Sequence, residues 1–327
     1  MIPALVLTAG LATRLRPLSF VRAKAALPVG DQAIVQRILR WLAGHGVTDA
    51  VLNLHHLPHT ITAIVGNGAA DGVHVRYSWE MPVLGSAGGP RRALPLLGTS
   101  PFLIVNGDTL TNVDVGALVD AHRASGALVT MAVIPNAEPA KYGGVVVEPD
   151  GNISGFLSAA RTLDTAARTL RVRETYLFVG VQVANAEAFA SLPDNVPSES
   201  VRELYPSLIA TRPGSIRAFV TEAEFFDIGT PADYLSTCLR LGTRDSGFGI
   251  RSALAADARL DNCVLWDDVV VEDRVRLRRC ILTDGVRVPA GSSWENMTIR
   301  VAHGELMKTE RLAGELAVGP IDGSTIG

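Results

Sequence analysis

The stretch LVLTAGLATRLRPLSFVRAKAALPV, residues 5–29, runs an apolar strand straight into a loop of mostly small residues that carries Arg14 and ends at Lys24. A strand followed by Ala9, Gly10, Leu11, Ala12 and Thr13 lets backbone N–H groups approach an anion, because few side chains stand in the way. Arg14 offers a planar fork to phosphate oxygens, and Lys24 adds a compact point charge. Lys24, Lys141 and Lys308 are the only lysines among 30 basic residues. A chain that defaults to arginine yet places lysine at 24 points to a need for a small ammonium there. The plainer alternative is a Rossmann-like strand and turn with two solvated charges.

Outward from this stretch, strand and helix patterns alternate through the first 240 or so residues. Ile34, Val35, Ile38, Leu39 and Leu42 recur at helical spacing behind Asp31, which reads as an N-cap. Residues 50–54, 74–78 and 102–106 read as strands, and a helix is expected over Val115–Ala124. Further strands are expected near 127–134, 143–148 and 175–184, with helices near 200–210 and 231–240. Such alternation predicts an α/β domain over 1–242 built on a mostly parallel, doubly wound sheet, with ligands beyond the carboxyl ends of its strands, and a Rossmann-like mixed sheet is the expected form.

A Gly/Ser-rich linker, TRDSGFGIRS (243–252), precedes a repeat. NCVLWDDVVVEDRVRLR (262–278) aligns on RCILTDGVRVPAGSSWE (279–295) with a shift of 17 residues, placing Cys263 on Cys280, Leu265 on Leu282, Asp267 on Asp284, Val269 on Val286 and Val271 on Val288. Apolar residues return every five or six positions, as three short strands per coil would require. A short left-handed parallel β-helix over 250–300 is the expectation, with a hairpin domain as the alternative. Stacked coils put Cys263 and Cys280 about 4.8 Å apart, one strand spacing, as two buried thiols rather than a disulfide. Residues 301–327 read as a poorly ordered tail.

Composition bounds the function. With 327 residues, 47% hydrophobic and 19% charged, the chain can bury one large core and a smaller second unit. A net charge of −3 gives no polyanion footprint, so nucleic acid is not an expected partner. No apolar run approaches the roughly 20 residues of a membrane span, and the N-terminus lacks a signal-peptide pattern. Three cysteines without metal spacing fit reduced thiols and a cytoplasmic protein. His55, His56 and His59 crowd one Pro-containing turn and read as exposed turn residues rather than metal ligands. The sequence leaves a homo-oligomer open.

The stretch at 5–29 resembles the signature of the sugar-1-phosphate nucleotidyltransferases, or NDP-sugar pyrophosphorylases, roughly L-x-A-G-x-G-T-R-L-x-P-L-T-x-x-x-P-K-x-x-L-P-V. Gly10, Thr13, Arg14, Leu15, Pro17, Leu18, Lys24, Leu27, Pro28 and Val29 fall in place. Ser19 stands for threonine, Ala12 for the second glycine and Ala23 for the proline before the lysine. The resemblance spans essentially the whole chain, the C-terminal β-helix included.

It assigns roles to particular residues. Asp108, in VNGD after the strand at 102–106, and Asp227, in FFDIGTP, match the two aspartates that hold Mg²⁺ in the family. Alone, Asp108 in its tight turn reads more often as a local hydrogen-bonder, and Asp227 reads as a capping or turn residue. The Gly-rich segment from Glu80 to Gly89 matches the base-binding loop, with Gly85 near the base and Ser86 as a cap for the next helix. Glu80 stands where uridylyl- and thymidylyltransferases commonly carry Gln. A carboxylate accepts only, and guanine offers two adjacent donors, so GTP is favoured. The alternative is a solvated glutamate before a turn. Tyr142 and Gly143, in KYGG, match the sugar-binding turn. The family's Glu-Lys pair is replaced by Ser158 and Ala159, with Arg161, Arg171 or Arg173 as possible substitutes.

The resemblance thus implies Mg²⁺-dependent transfer of a nucleotidyl group from an NTP to a sugar 1-phosphate, in the manner of a mannose-1-phosphate guanylyltransferase. Arg14, Lys24 and Asp108 would be catalytic. Ala9, Gly10, Leu11, Thr13, Arg14, Glu80, Gly85 and Ser86 would bind nucleotide, and Lys24, Tyr142 and Gly143 the sugar phosphate. Uridylyl or thymidylyl transfer, and a non-catalytic paralogue that senses NDP-sugar, are the competing readings.

Overall fold

A computed structural model describes residues 2–98, 100–159, 175–242 and 247–323. The chain divides into two compact units, one of residues 1–10, 37–58 and 65–225, the other of 11–36, 59–64 and 226–327. The signature loop therefore groups with the C-terminal residues, a division that the linear boundary near 242 does not express.

The first unit is built on one mixed sheet. Its strands are β1 (Ala4–Leu7), β2 (Asp49–Leu54), β3 (His74–Trp79), β4 (Phe102–Asn106), β5 (Val129–Pro135), β6 (Gly144–Val147), β7 (Ile153–Leu157), β8 (Thr175–Ala184) and β9 (Ile216–Val220). They lie in the order β7-β6-β8-β4-β1-β2-β3, and β5 pairs with β8 and β9 off this path. β4, β1, β2 and β3 are mutually parallel, whereas β8 runs antiparallel to β4, β5 and β6. Helices cover both faces of such a sheet, so its strands read as unbroken apolar runs. Leu5, Val51, Phe102 and Ile104 are fully buried, in a cluster with Ala87, Ala93 and Leu97 of the helix Gly85–Leu97. Because these four strands are parallel, Thr8, Asn53, Glu80 and Asp108 all fall at one end of the sheet.

The helix expected behind Asp31 spans Ile34–Gly44 but is capped differently. Asp31 sits in the turn of a small hairpin, Pro28–Val29 with Gln32–Ala33. Gln36 instead reaches back, its Oε1 accepting from the Ala33 N–H at 3.2 Å, which is half of a capping box. Helix Pro58–Val65 and strands β7 and β9 were not anticipated.

In the second unit the 17-residue repeat is a parallel β-helix. Val264 pairs with Ile281 and that with Thr298, Val270 with Arg287, and Arg259 with Arg276 and then Ser293. Cys263, Leu265, Val269, Val271, Val275 and Leu277 stack with Cys280, Leu282, Val286 and Val288 in its core. Left-handed residues recur at its corners, Asn262, Arg279 and Asn296 in one column and Asp268 with Gly285 in another. Both thiols are free and buried. The Cys280 thiol is pushed up by its hydrogen-bonded neighbour Cys263 and by burial, so it is not a reactive thiolate.

The expected tail at 301–327 is instead folded over its described residues, 301–323. Met297–Val301 pairs antiparallel with Leu316–Pro320, which pairs with Arg311–Ala313. This covers the edge that the parallel stack would otherwise present. Arg300 holds it together by bonding both carboxylate oxygens of Glu310 at 2.8 Å, with both side chains buried.

Candidate active site

The sheet unit contributes a set of residues at the carboxyl ends of β1 to β4. Asn53 organises them. Its Oδ1 accepts from the N–H groups of Thr8 at 2.6 Å and Ala9 at 3.3 Å, and the Thr8 hydroxyl donates to the Asn53 carbonyl. The exit of β1 is thereby fixed one residue before Gly10. A side chain added at Gly10 would meet nothing within 4 Å, so the backbone there is open to a ligand.

Glu80 has an internal partner set. One carboxylate oxygen accepts from Asn53 Nδ2 at 2.7 Å and the other from the Leu84 N–H at 2.8 Å. At 4% exposure it is not a solvated turn residue, and its carboxylate organises the protein's own groups. His55 Nδ1 lies 2.9 Å from the Glu80 carbonyl, so this histidine is also tied down rather than a free turn residue. Gly89 is needed here, since a Cβ would stand 2.8 Å from Glu80 Oε1 and 2.9 Å from Asn53 Nδ2. Gly85 is likewise required by the chain itself, since a Cβ there would stand 2.7 Å from the Ser198 carbonyl. Ser86 does not cap the helix Gly85–Leu97. It lies within the first turn and donates to Glu199 Oε2 at 2.7 Å.

Asp108 follows β4 and is half-buried. Gly107 makes its position possible, for its N–H donates to the Leu7 carbonyl at 2.9 Å, and a Cβ would press on that same oxygen at 2.5 Å. Tyr142 ends a one-turn helix, Pro139–Tyr142, with its ring edge-on to Phe225 at 6.2 Å and the Lys141 ammonium 4.8 Å from its centroid. Gly143 closes that turn by donating to the Pro139 carbonyl at 2.9 Å. Ser158 is exposed just after β7. Arg161, Arg171 and Arg173 lie outside the described residues.

The second unit holds the signature loop. Leu11 is 43% exposed and Thr13 is exposed with it. Arg14 lies in a single 3-10 turn, Thr13–Leu15, and is exposed. Lys24 opens another, Lys24–Ala26, and is half-buried. Two of the three departures from the signature, Ala12 and Ala23, keep backbone conformations that glycine and proline would adopt. Ala12 sits at φ 48°, ψ 45°, the left-handed conformation that glycine favours. Ser19 steadies it by donating to the Ala12 carbonyl at 3.0 Å. Ala23 sits at φ −56°, ψ 147°, which proline would adopt, and its N–H donates to Thr60 Oγ1 at 3.1 Å. Asp227 precedes Gly229 and the helix Pro231–Leu241, which Thr230 caps by accepting from the Asp233 N–H at 3.2 Å. The Asp227 carbonyl accepts from Thr237 at 3.0 Å.

The family model for nucleotidyl transferases matches residues 3–242 of this chain. The chain belongs to that family. The nucleotidyltransferase is 26% identical over 308 residues to a mannose-1-phosphate guanylyltransferase of Mycobacterium tuberculosis, covering 89% of this chain and 82% of that one. It is 28% identical over 356 residues to a mannose-1-phosphate guanyltransferase of Neurospora crassa, covering 99% and 92%. The structure of HddC from Yersinia pseudotuberculosis complexed with GMP-PN superposes with a TM-score of 0.61 at 21% identity, covering 73% of this chain and 99% of that one. At that identity the likeness speaks for the fold.

Two residues that hold candidate positions, one in each unit, escaped sequence reasoning. Asn53 lay inside an apolar run, AVLNL, where a lone polar residue near a strand's carboxyl end was the available signal. Thr60 carried none, because the Ala23 N–H it accepts exists only where proline is absent. No helix among the described residues is long and apolar enough to cross a membrane.

Proposed function

We propose that the chain transfers a nucleotidyl group from an NTP, with GTP preferred, to a sugar 1-phosphate, with mannose 1-phosphate as the first candidate. A sugar-phosphate oxygen attacks the α-phosphorus, the α–β phosphoanhydride bond breaks, and pyrophosphate leaves. The attacking oxygen is already an anion at neutral pH, so positioning and charge neutralisation carry the catalysis. The observation behind this reading is the signature loop itself, with Arg14 and Lys24 on the first and third of its three single turns. Arg14 would hold the β- and γ-phosphates. Lys24 would lie against the α-phosphate and the incoming sugar phosphate, offsetting repulsion between two anions. Tyr142 and Gly143 would line the sugar.

Guanine preference now rests on the names of the relatives, since Glu80 spends its carboxylate on Asn53 and Leu84. Mg²⁺ is the proposed cofactor, with Asp108 and Asp227 supplying carboxylates. Among the described residues no group of three or more metal-ligating side chains stands ready as a cage. That suits Mg²⁺, which is usually held by one or two carboxylates together with substrate phosphates and water. When bound, it would neutralise phosphate charge. Replacement of the family's Glu-Lys pair by Ser158 and Ala159 favours one other reading, a sensor without turnover. A panel of GTP, ATP, UTP, CTP and dTTP against several sugar 1-phosphates, read by pyrophosphate release from the purified chain, tests both. Release confined to GTP with mannose 1-phosphate is expected. Best release with UTP or dTTP overturns the base assignment, and binding of NDP-sugar without release favours the sensor.

A further inference from the structure

The signature leaves position 22 open, and this chain fills it with an arginine that turns away from solvent into the β-helix. Arg22 NH2 donates to Asp267 Oδ2 at 2.7 Å and to Asp284 Oδ1 at 2.6 Å, and its Nε donates to Asp284 Oδ2 at 2.7 Å. Its guanidinium also lies 5.4 Å from the Trp266 ring centroid. The two aspartates occupy the same position of successive coils, which is why one planar fork reaches both. They are tied in turn: Asp284 Oδ1 accepts from the Asp267 N–H at 3.1 Å, and Asp267 Oδ1 from the Ile250 N–H at 2.7 Å. Burial opposes the charge on Arg22, but the hydrogen bonds and attraction of Asp284 and Asp267 outweigh it and raise its pKa.

Two further ties hold the same segment within this unit. Upstream, the guanidinium of Arg300 lies 5.4 Å from the Phe20 ring. Downstream, Trp266 Nε1 donates to the Tyr234 hydroxyl at 2.9 Å, which donates to the Pro28 carbonyl at 2.5 Å. Lys24 lies between these points, two residues beyond Arg22. With Ala23 in place of proline, the backbone before Lys24 has lost a covalent restraint, and the contacts from the β-helix supply a tertiary one.

We infer that Arg22, Asp267 and Asp284 form a clamp through which the β-helix sets the position of Lys24, making Arg22 a positioning residue for nucleotidyl transfer. The inference rests on the proposal that Lys24 acts on the phosphates. It gives the β-helix a part in turnover and not only in stability. Loosening the clamp should leave ground-state binding of NTP largely intact, because none of its hydrogen bonds goes to Arg14 or to the sheet-unit residues. The loss should fall on the step that needs the ammonium in one place.

The test uses the full chain with Asp267→Asn/Asp284→Asn, Arg22→Ala and Arg22→Lys, each alone and in a Lys24→Ala background. The clamp variants should lower kcat about tenfold with KM for NTP within about twofold, and Arg22→Lys should recover part of the loss. In the Lys24→Ala background the clamp variants should add little, since both changes remove the same interaction. Wild-type kcat in the clamp variants beside a crippled Lys24→Ala would overturn the clamp and leave the role of Lys24 standing. Wild-type turnover in Lys24→Ala would overturn both, and additive losses in the combined variants would overturn the clamp. Amide hydrogen exchange over residues 22–27 gives a readout that needs no turnover. Exchange should quicken in Asp267→Asn/Asp284→Asn, and unchanged protection there would overturn the clamp.

Discussion

Asn53 and Glu80 share a buried hydrogen bond of 2.7 Å, amide nitrogen to carboxylate oxygen, and that bond decides which way the Asn53 amide faces. A carboxylate only accepts, so Asn53 must turn its NH₂ to Glu80 and its oxygen to the N–H groups of Thr8 and Ala9. Glu80→Gln would set an NH₂ against either Asn53 Nδ2 or the Leu84 N–H. The unsatisfied donor should cost about 1–3 kcal/mol of stability. If Glu80 acts through Asn53 on the start of the loop, kcat/KM for GTP and for UTP should fall together and their ratio stay within about twofold. A ratio that shifts tenfold towards UTP would put the carboxylate back on the base.

Asp108→Asn and Asp227→Asn each remove one negative charge from the proposed Mg²⁺ ligands. Turnover should drop by roughly tenfold or more, about 1.4 kcal/mol of barrier, and half-maximal activity should need more Mg²⁺. Circular dichroism and thermal unfolding would show whether the fold is kept. Near-normal rates in both variants at limiting Mg²⁺ rule the assignment out.

Lys24→Ala should leave charge between two phosphates uncompensated and cost about a hundredfold or more in rate, a few kcal/mol. Lys24→Arg should also be poor, because a planar fork does not replace a compact ammonium. Full activity of the arginine variant would remove the argument from lysine scarcity. Steady-state pyrophosphate release at saturating substrates is the measurement.

Where periodicity or repetition governs, the sequence was legible. The strands at 102–106 and 175–184 were read to the residue, and the 17-residue shift predicted which residues stack, because coil register is a property of spacing alone. What failed depends on partners distant in the chain. Glu80 looked like a residue facing a ligand because nothing nearby reveals Asn53 across the sheet. Ser86 looked like a cap, but Glu199 claims its hydroxyl. Arg22 drew no reading from the sequence, because its partners Asp267 and Asp284 lie 245 and 262 residues along the chain and only the coils bring them to it. The stretch from 301 looked like a poorly ordered tail because of its ending, AVGPIDGSTIG, yet Leu316 and Val318 find a core when added to the edge of the stack.

His122 makes stability depend on pH away from the candidate site. It is buried at 3% exposure, with Nδ1 2.9 Å from the Thr130 hydroxyl and Nε2 3.3 Å from Asn185 Oδ1. Asn185 Oδ1 can only accept, so Nε2 carries the proton and Nδ1 accepts from Thr130 in the neutral ring. Burial lowers the His122 pKa below its ordinary value of 6.5; the Asn185 bond opposes that shift and the charge on Arg123 adds to it. The unfolded chain therefore binds a proton near pH 6.5 that the folded chain still refuses, and unfolding gains from each step of acidification. The contribution of the neutral ring should be complete above pH 6.5 and decline as pH falls from there towards the folded pKa. Urea unfolding at pH 7.5, 6.5 and 5.5 should show wild type losing stability across this window, with a shallower slope in His122→Gln. Equal slopes in the two proteins would mean that His122 protonates as readily folded as unfolded.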